Sequence, residues 1–458
     1  MATKNIVPQA DGEGTVGTTL KQWLAGYFKS LVIEGDDVFG RIGSKQNLLT
    51  NPGFGVWSNS TLENYGSALL LDWTNNTFET FTNTGANITS AIETGSAGEA
   101  TSDTFATVKG HQYEITYNLT VNSGQVPRLF YYDGAGNNIG NFQMVAGANT
   151  YIYTEPTGGA GAYLIYWTNS ASNTSCTMSA YEVTPGCVAA DTLGPDGWKK
   201  TATDIDLFRE PNGTNTKDGS YNGLKAITSG INKSIEWPSN GGDTESFYKK
   251  YAGRTVTFGQ WIKTSTANSV RLRVTDTDHY YSSYHTGGGT FEWLEVTRAV
   301  PTNTTQFFVG MYIEVNPTTV YYSQPMLVFG SSIGEGNYSA PSGEIINLEN
   351  ITTPLENYTN ATVAADAVID IQVESNGRIP VGAKEVKLSY SGITDVAGSY
   401  FGFAGKATAR ETWFTGWVAT TLQALTTGWT TIDSNSKIYL DRNNTWTNVA
   451  IIPLAVRL

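Results

Sequence analysis

The chain of 458 residues is poor in the side chains from which most catalytic centres are built, with three histidines and two cysteines. A Cys/His zinc site needs three or four such ligands at short, defined spacing. His111, His279, His285, Cys176 and Cys187 do not supply that pattern, so no metal and no cofactor is expected. The G-x-S-x-G elbow, the Walker loop, the H-E-x-x-H pair and the dinucleotide glycine fingerprint are missing too. A single histidine would serve a Ser-His-Asp triad, so scarcity alone does not exclude a hydrolase. The dehydrogenase, kinase and zinc-hydrolase classes fall away, and the chain is expected not to be an enzyme.

Charge is scarce as well. Charged residues make up 15% of the chain, against about 25% in an average soluble protein. The 28 basic and 41 acidic residues leave a net charge of −13. Nucleic-acid binding requires clustered Lys and Arg to displace counterions from phosphate, and that footprint is missing. Apolar runs are short: Ser67 to Leu71 (SALLL) is typical, far below the ~20 residues a bilayer demands. Membrane insertion is therefore not expected. Residues 1–20 lack a basic n-region and a continuous apolar stretch, so no signal peptide is read there. Cys176 and Cys187 could form a bridge, but a chain made in a reducing cytosol is expected to carry them as two buried thiols.

What the chain has in abundance is glycine (49 residues) and aromatics: 12 Trp, 25 Tyr and 18 Phe. Beyond residue 45, Thr, Tyr, Val and Asn recur in short alternating runs such as Tyr113 to Val121 (YEITYNLTV), Val270 to Val274 (VRLRV) and Val386 to Tyr390 (VKLSY). Period-two alternation bounded by Gly, Asn and Asp reads as half-buried antiparallel strands. One helical stripe stands out, formed by Leu20, Trp23, Leu24, Tyr27, Phe28 and Leu31, with Thr18 or Thr19 as its cap. Its tail, Tyr27 to Ile33, reads equally well as a strand. Packing against the first β-domain would account for the stripe, but an interface accounts for it better, because the surrounding chain is so polar and glycine-rich.

An internal repeat organises the rest. Gly110, Arg128-Leu129 and Asp133 recur as Gly253, Arg271-Leu272 and Asp276, always 143 positions on. Each copy opens on a tryptophan segment (Leu71-Asp72-Trp73, Asp196-Gly197-Trp198) and closes on an alternating strand (Cys176 to Val183, Val320 to Val328). Copies of this length suit a two-sheet jelly roll, and no period of 20–50 residues suggests a solenoid. The fold expected is all-β and multidomain: an N-terminal anchoring segment over 1–45, jelly-roll-like β-sandwiches over 46–186 and 187–340, a connector over 341–365, and a C-terminal β-rich module over 366–458 whose last strand ends the chain.

Three short segments carry a resemblance. Ala10 to Gly17 (ADGEGTVG), followed by Trp23 and Gly26-Tyr27-Phe28, resembles the N-terminal segment of bacteriophage tail-fibre and virion structural proteins. Asn47 to Phe54 (NLLTNPGF) is similar to the start of the carbohydrate-binding-module-like jelly rolls found in those proteins. Tyr322 to Gly330 (YSQPMLVFG), with Gly334 to Tyr338 (GEGNY), resembles the closing strand of such a domain. The resemblance implies a homotrimeric virion fibre that docks on other virion proteins through its N-terminus and presents β-domains to host cell-surface glycan. A head fibre or decoration protein without a specific receptor is the alternative.

The richest candidate for glycan contact is one loop carrying Asp276, Asp278, His279, Tyr280, Tyr281, Tyr284 and His285, followed by Gly287 to Gly289. Aromatic faces stack on the C–H face of a pyranose, and Asp and His bond its hydroxyls. Two strand ends joined by a glycine turn would equally explain the composition. Asp276 and Asp278 are also an oxygen pair of the type calcium uses, though no EF-hand loop surrounds them. Tyr131, Tyr132 and Asp133, ahead of Gly134, occupy the matching stretch of the first copy and are explained by hairpin chemistry. Trp73, Trp198, Trp261 and Trp293 read as core. Trp413, Trp417, Trp429 and Trp446 lie in the terminal module, where receptor contact is expected if that module is the tip. The candidate oligomer or virion interface is Trp23, Leu24, Tyr27, Phe28 and Leu31.

Overall fold

The computed structural model describes residues 46–458 apart from positions 71, 189–191, 212, 219, 221, 316–317, 339–344, 349–351, 360, 364, 381–382, 395–398, 406–411, 416–421 and 458, the side chains of 394, 412–415 and 422–426 also being left aside. Within 1–45 it describes two strands, β1 (Val32–Ile33) and β2 (Asp36–Asp37), which pair with each other. The apolar stripe Trp23, Leu24, Tyr27, Phe28 and Leu31 lies outside the described residues. Residues 47–458 form one compact unit, and among its described residues no helix is long and apolar enough to cross a membrane.

The first sandwich comprises β3 (Thr61–Asn64), β4 (Trp73–Asn75), β5 (Thr80–Thr84), β6 (Asn87–Glu93), β7 (Gly98–Ser102), β8 (Phe105–Thr107), β9 (Gln112–Gly124), β10 (Arg128–Tyr132), β11 (Asn138–Gln143), β12 (Gly147–Thr154), β13 (Gly159–Thr168) and β14 (Ser172–Cys187). The second comprises β15 (Lys199–Lys200), β16 (Ile205–Glu210), β17 (Gly223–Thr228), β18 (Lys233–Trp237), β19 (Thr255–Lys263), β20 (Val270–Thr275), β21 (His279–Tyr281), β22 (Phe291–Ala299), β23 (Phe308–Ile313) and β24 (Thr318–Phe329). Their sheets share one strand order. β11-β10-β13-β7-β4 in the first matches β21-β20-β23-β18-β15 in the second, and β12-β9-β14-β6 matches β22-β19-β24-β17. The 143-residue repeat is visible in the packing: Tyr113, Ile115 and Leu129 fill the first core where Val256, Phe258 and Leu272 fill the second. Gly110 and Gly253 both take a left-handed turn (φ 80° and 73°) just before β9 and β19. The expected all-β, tandem jelly-roll architecture is what the chain adopts.

Two features depart from a string of separate domains. First, β14 is long enough to leave its own sandwich. It pairs with β9 and β6, then with β3, and its last residues Gly186 and Cys187 pair with Phe208 and Leu207 of β16. One sheet of each sandwich thereby joins into a continuous eleven-stranded sheet. Second, Asn47 to Phe54, expected to open the first sandwich, lies in the second. Leu49, Phe54 and Trp57 belong to the second core. The Asn47 side chain donates to Pro325 O (2.9 Å) and accepts from Leu327 N (3.2 Å). The physical reason is burial: Leu49, Phe54 and Trp57 share one apolar cluster with Trp198, Leu207, Phe258 and Leu327, and the Asn47 bonds fix the segment to β24. The first sandwich is thus an insertion between Trp57 and Cys187.

The C-terminal part has β25 (Ile345–Asn347), β26 (Ala361–Val363), β27 (Ala367–Asp370), β28 (Glu385–Thr394), β29 (Tyr400–Ala404), β30 (Thr412–Thr415), β31 (Leu422–Thr431), β32 (Lys437–Arg442) and β33 (Trp446–Arg457). They form two facing sheets, β25-β33-β28-β31 with β26 on β33, and β27-β32-β29-β30. The segment 341–365, read from sequence as a connector, contributes β25, β26 and the core residues Ile346, Leu348, Leu355 and Val363. Its apolar residues are too few per window to announce strands, but each finds a place on β33. Cys176 and Cys187 are free and buried, and burial pushes the Cys176 thiol up to about 12.

Two outcomes follow from this packing. A Cβ on Gly186 would stand 2.9 Å from Glu63 Cγ and 3.0 Å from Leu207 O. Gly186→Ala is therefore expected to cost about 1–3 kcal/mol through forced repacking of the sheet joint, read as a lowered urea midpoint. An unchanged midpoint would show that the joint is loose. Both thiols should resist a maleimide at pH 8 in the native protein and label in denaturant, since the thiolate is the reacting species.

Candidate functional site

The loop singled out from sequence divides between interior and surface. Asp276 is fully buried at the end of β20; its carboxylate accepts from Arg298 Nε (2.7 Å), Thr277 Oγ1 (3.1 Å) and Asp278 N (3.1 Å). His285 is buried as well, with Nδ1 accepting from Gly287 N (2.9 Å) and Nε2 facing the carbonyls of Ile262 (3.0 Å) and Thr290 (3.2 Å). Both hold the turn rather than a ligand. Asp278 is exposed, accepting from His279 N (2.8 Å), so Asp276 and Asp278 do not face one cation. Tyr280 packs on the second core beneath the Arg298 guanidinium, 3.5 Å from its ring centre.

Tyr281 and Tyr284 remain at the surface, together with exposed His279. They surround Arg271, whose guanidinium carbon lies 3.7 Å from the Tyr281 ring centre and 4.6 Å from that of Tyr284. Tyr312, missed by the sequence reading, completes the group 5.4 Å from Tyr281. Arg271 pairs with Glu314, which also accepts from Tyr284 Oη, and Arg273 pairs with Glu236. This outer face of the second sandwich is a set of paired charges with tyrosine rings set among them.

The matching face of the first sandwich has different chemistry. β13 alternates strictly: Ala162, Leu164 and Tyr166 are buried, while Tyr163, Ile165 and Trp167 look outward, half-buried. Across the register, Arg128 faces Trp167, Phe130 faces Ile165 and Tyr132 faces Tyr163. Tyr132 and Tyr163 stack at 4.2 Å with an interplanar angle of 11°, and Phe130 meets Trp167 edge-on at 5.9 Å. Asn138, Asn141 and Gln143 flank these rings on β11, and Glu99 and Thr101 flank them on β7. Outward rings with amides and an arginine at their rim can stack on sugar C–H faces while bonding the hydroxyls around them.

The two faces coincide position by position. Arg128 opposite Trp167 recurs as Arg271 opposite Tyr312, and Tyr163 corresponds to Phe308. Tyr132 was read from sequence as turn chemistry. The available signal was β13 itself (GAGAYLIYWT): a strand apolar at successive positions has an apolar outer face as well as an apolar core face.

On the opposite side of the first sandwich, a groove of about 580 Å³ runs over Thr116, Asn118, Asn149, Thr150, Thr177 and Ser179. It offers hydroxyls and amides for hydrogen bonding. Of the tryptophans, Trp73, Trp198, Trp261 and Trp446 are buried. Trp293 is half-buried beside Trp261, and Glu295 ties Ile333 N and Gly334 N over that face. The Gly334 to Tyr338 segment is thus partly a cover for the second sandwich. Trp429 is half-buried under Arg457. The side chain of Trp413 and all of Trp417 lie outside the described residues.

Compared by sequence, the chain matches no known protein family and no curated protein. By structure it is similar to the CBM22-1–CBM22-2 tandem of Paenibacillus barcinonensis Xyn10C (13% identity, 63% of this chain, 99% of that one, TM-score 0.23). It is similar to the CBM22-1–GH10 modules of Clostridium thermocellum xylanase 10B (11% identity, 30% of this chain, TM-score 0.25), of which it spans only 26%. A third similarity is to the enzymatically active domain of bacteriophage CBA120 tailspike protein 4 (11% identity, 31% of this chain, 21% of that one, TM-score 0.22). At such scores these likenesses carry no functional weight.

Asp276→Asn is expected to lower stability by about 2 kcal/mol or more, because it leaves the Arg298 charge without its partner. The check is the urea midpoint of the variant against wild type, and an unchanged midpoint would show that Asp276 is not what holds Arg298.

Proposed function

We propose that this chain is a bacteriophage virion fibre protein that binds host cell-surface glycan and acts as a homotrimer without a catalytic step. In this reading, residues 1–45 dock on other virion proteins and the sandwiches project outward. The observation that carries the reading is the outward face of the first sandwich, where the aromatic rings of Phe130, Tyr132, Tyr163 and Trp167 surround the aliphatic Ile165. In a chain with 15% charged residues, recognition rests on ring stacking and hydrogen bonds rather than electrostatic capture. Weak single sites become effective through avidity over three chains.

The test is competition for adsorption between purified protein and intact virus on host cells. Wild-type protein should abolish adsorption at saturation, and Trp167→Ala with Tyr163→Ala should compete roughly tenfold or more weakly, as truncated aromatic anchors do. Raising salt from 0.1 to about 1 M, which shortens the screening length to about 3 Å, should leave wild-type competition intact. Undiminished adsorption with folded oligomeric protein would favour the alternative, a head fibre or decoration protein in which these aromatic faces pack between subunits.

A further inference from the structure

A second feature stands apart from the aromatic face. Where the first sandwich, the second sandwich and the C-terminal part meet, a cavity of about 170 Å³ is lined by Lys109, His111, Gln112, Thr184, Arg209 and Gln372, among others. Gln112, Thr184, Arg209 and Gln372 are each at least nine-tenths buried. The volume equals roughly six water molecules at about 30 Å³ each.

Its polar inventory does not close. Arg209 donates through Nη1 to Gly377 O and to Gly55 O (3.3 Å), which fixes the guanidinium between two chain segments. Its Nε has no hydrogen-bond partner, and among the described residues no carboxylate pairs with Arg209. Both atoms of the Gln112 amide are buried without a partner as well. Burial lowers the Arg209 guanidinium to about 10, which leaves it charged at neutral pH. The other charged groups nearby do not neutralise it: His111 Nδ1 is taken up by Glu182 at 2.8 Å, and Lys109 adds a further cation at the rim. A desolvated cation with no counter-charge is strongly unfavourable, and unpaired buried amides add to the cost. In a chain of net charge −13, this is a locally positive, donor-rich enclosure.

We infer that the cavity is a binding site for one small oxyanion of the carboxylate or phosphate class, seated between Arg209 Nε and the Gln112 amide. The anion supplies the missing counter-charge and joins three parts of the fold through one ligand. Gly377 shows how tightly the site is framed. It takes a left-handed φ of 68°, and a Cβ there would press on Gln112 Oε1 and Pro185.

The test is thermal unfolding of the full chain, titrated with sodium acetate, inorganic phosphate or sodium chloride at fixed pH and ionic strength. A ligand confined to the native state raises Tm by mass action, here by roughly 2–4 °C at a concentration about 100 times its Kd. The expected result is a rise with acetate or phosphate that becomes linear in the logarithm of concentration, and none with chloride, lost in Gln112→Leu. Acetate alone would mark a carboxylate ligand, and phosphate alone a phosphate ligand. Equal responses to all three ions, or a response retained in Gln112→Leu, would overturn the inference. Should that variant not fold, wild-type crystals grown in each ion decide: an oxyanion within hydrogen-bond reach of Arg209 Nε sustains the site, and water alone ends it. Neither outcome bears on glycan adsorption, so the two readings fail separately.

Discussion

The arrangement of the sandwiches depends on two residue pairs. Gly186 and Cys187 at the end of β14 pair with Phe208 and Leu207 of β16, and this short ladder makes one sheet out of two. A backbone hydrogen bond contributes only about 1 kcal/mol net, so the joint holds because side chains close over it. Tyr65 sets its ring edge-on to Phe208 at 6.4 Å, its hydroxyl bonds Glu210, and Lys225 Nζ lies 4.3 Å from the Tyr65 ring centre. Thr184 Oγ1 donates to Arg209 O at 2.8 Å on the neighbouring stretch. Glycine at 186 suits the joint because a Cβ there would stand only 3.0 Å from the Leu207 carbonyl oxygen.

A second constraint ties the chain's early residues to its late ones. Asn51 donates to Val56 O (2.9 Å) and Asp196 O (3.0 Å), and the Asp196 carboxylate accepts from Ser58 N (2.6 Å) and Ser58 Oγ (2.7 Å). Trp57 N reaches Arg378 O at 3.0 Å, and Val56 sits in the C-terminal core. The segment 47–58 is therefore shared between two cores, with the first sandwich looped out between its halves. Contacts across such separations are slow to form. They are also what makes residues 47–458 a single compact unit rather than beads on linkers.

The repeated outer face shows how one fold holds two chemistries. The pair Arg128–Trp167 became Arg271–Tyr312 without a change of register, while Phe130 and Ile165 became Arg273 and Gly310. In the first copy the result is a ring surface. In the second, Arg271–Glu314 and Arg273–Glu236 consume their own charges. Outward side chains are free to diverge because the core faces, Leu129 and Leu272 among them, carry the packing.

The sequence by itself determined the β class and the 143-residue repeat, because alternation and spacing are local and survive translation along the chain. It also limited the candidate surface to aromatic contact by leaving so little charge. Tertiary structure alone decided which members of a promising loop face solvent. Asp276 and His285 turned inward because the β20–β22 turn needed their hydrogen bonds, whereas Tyr281 and Tyr284 stayed outside around Arg271. It likewise decided that Asn47 to Phe54 fills a core more than a hundred residues downstream, and that Arg209 and Gln112 meet. Such encounters depend on which strand ends are brought together in space, and no pattern within a window of sequence encodes that.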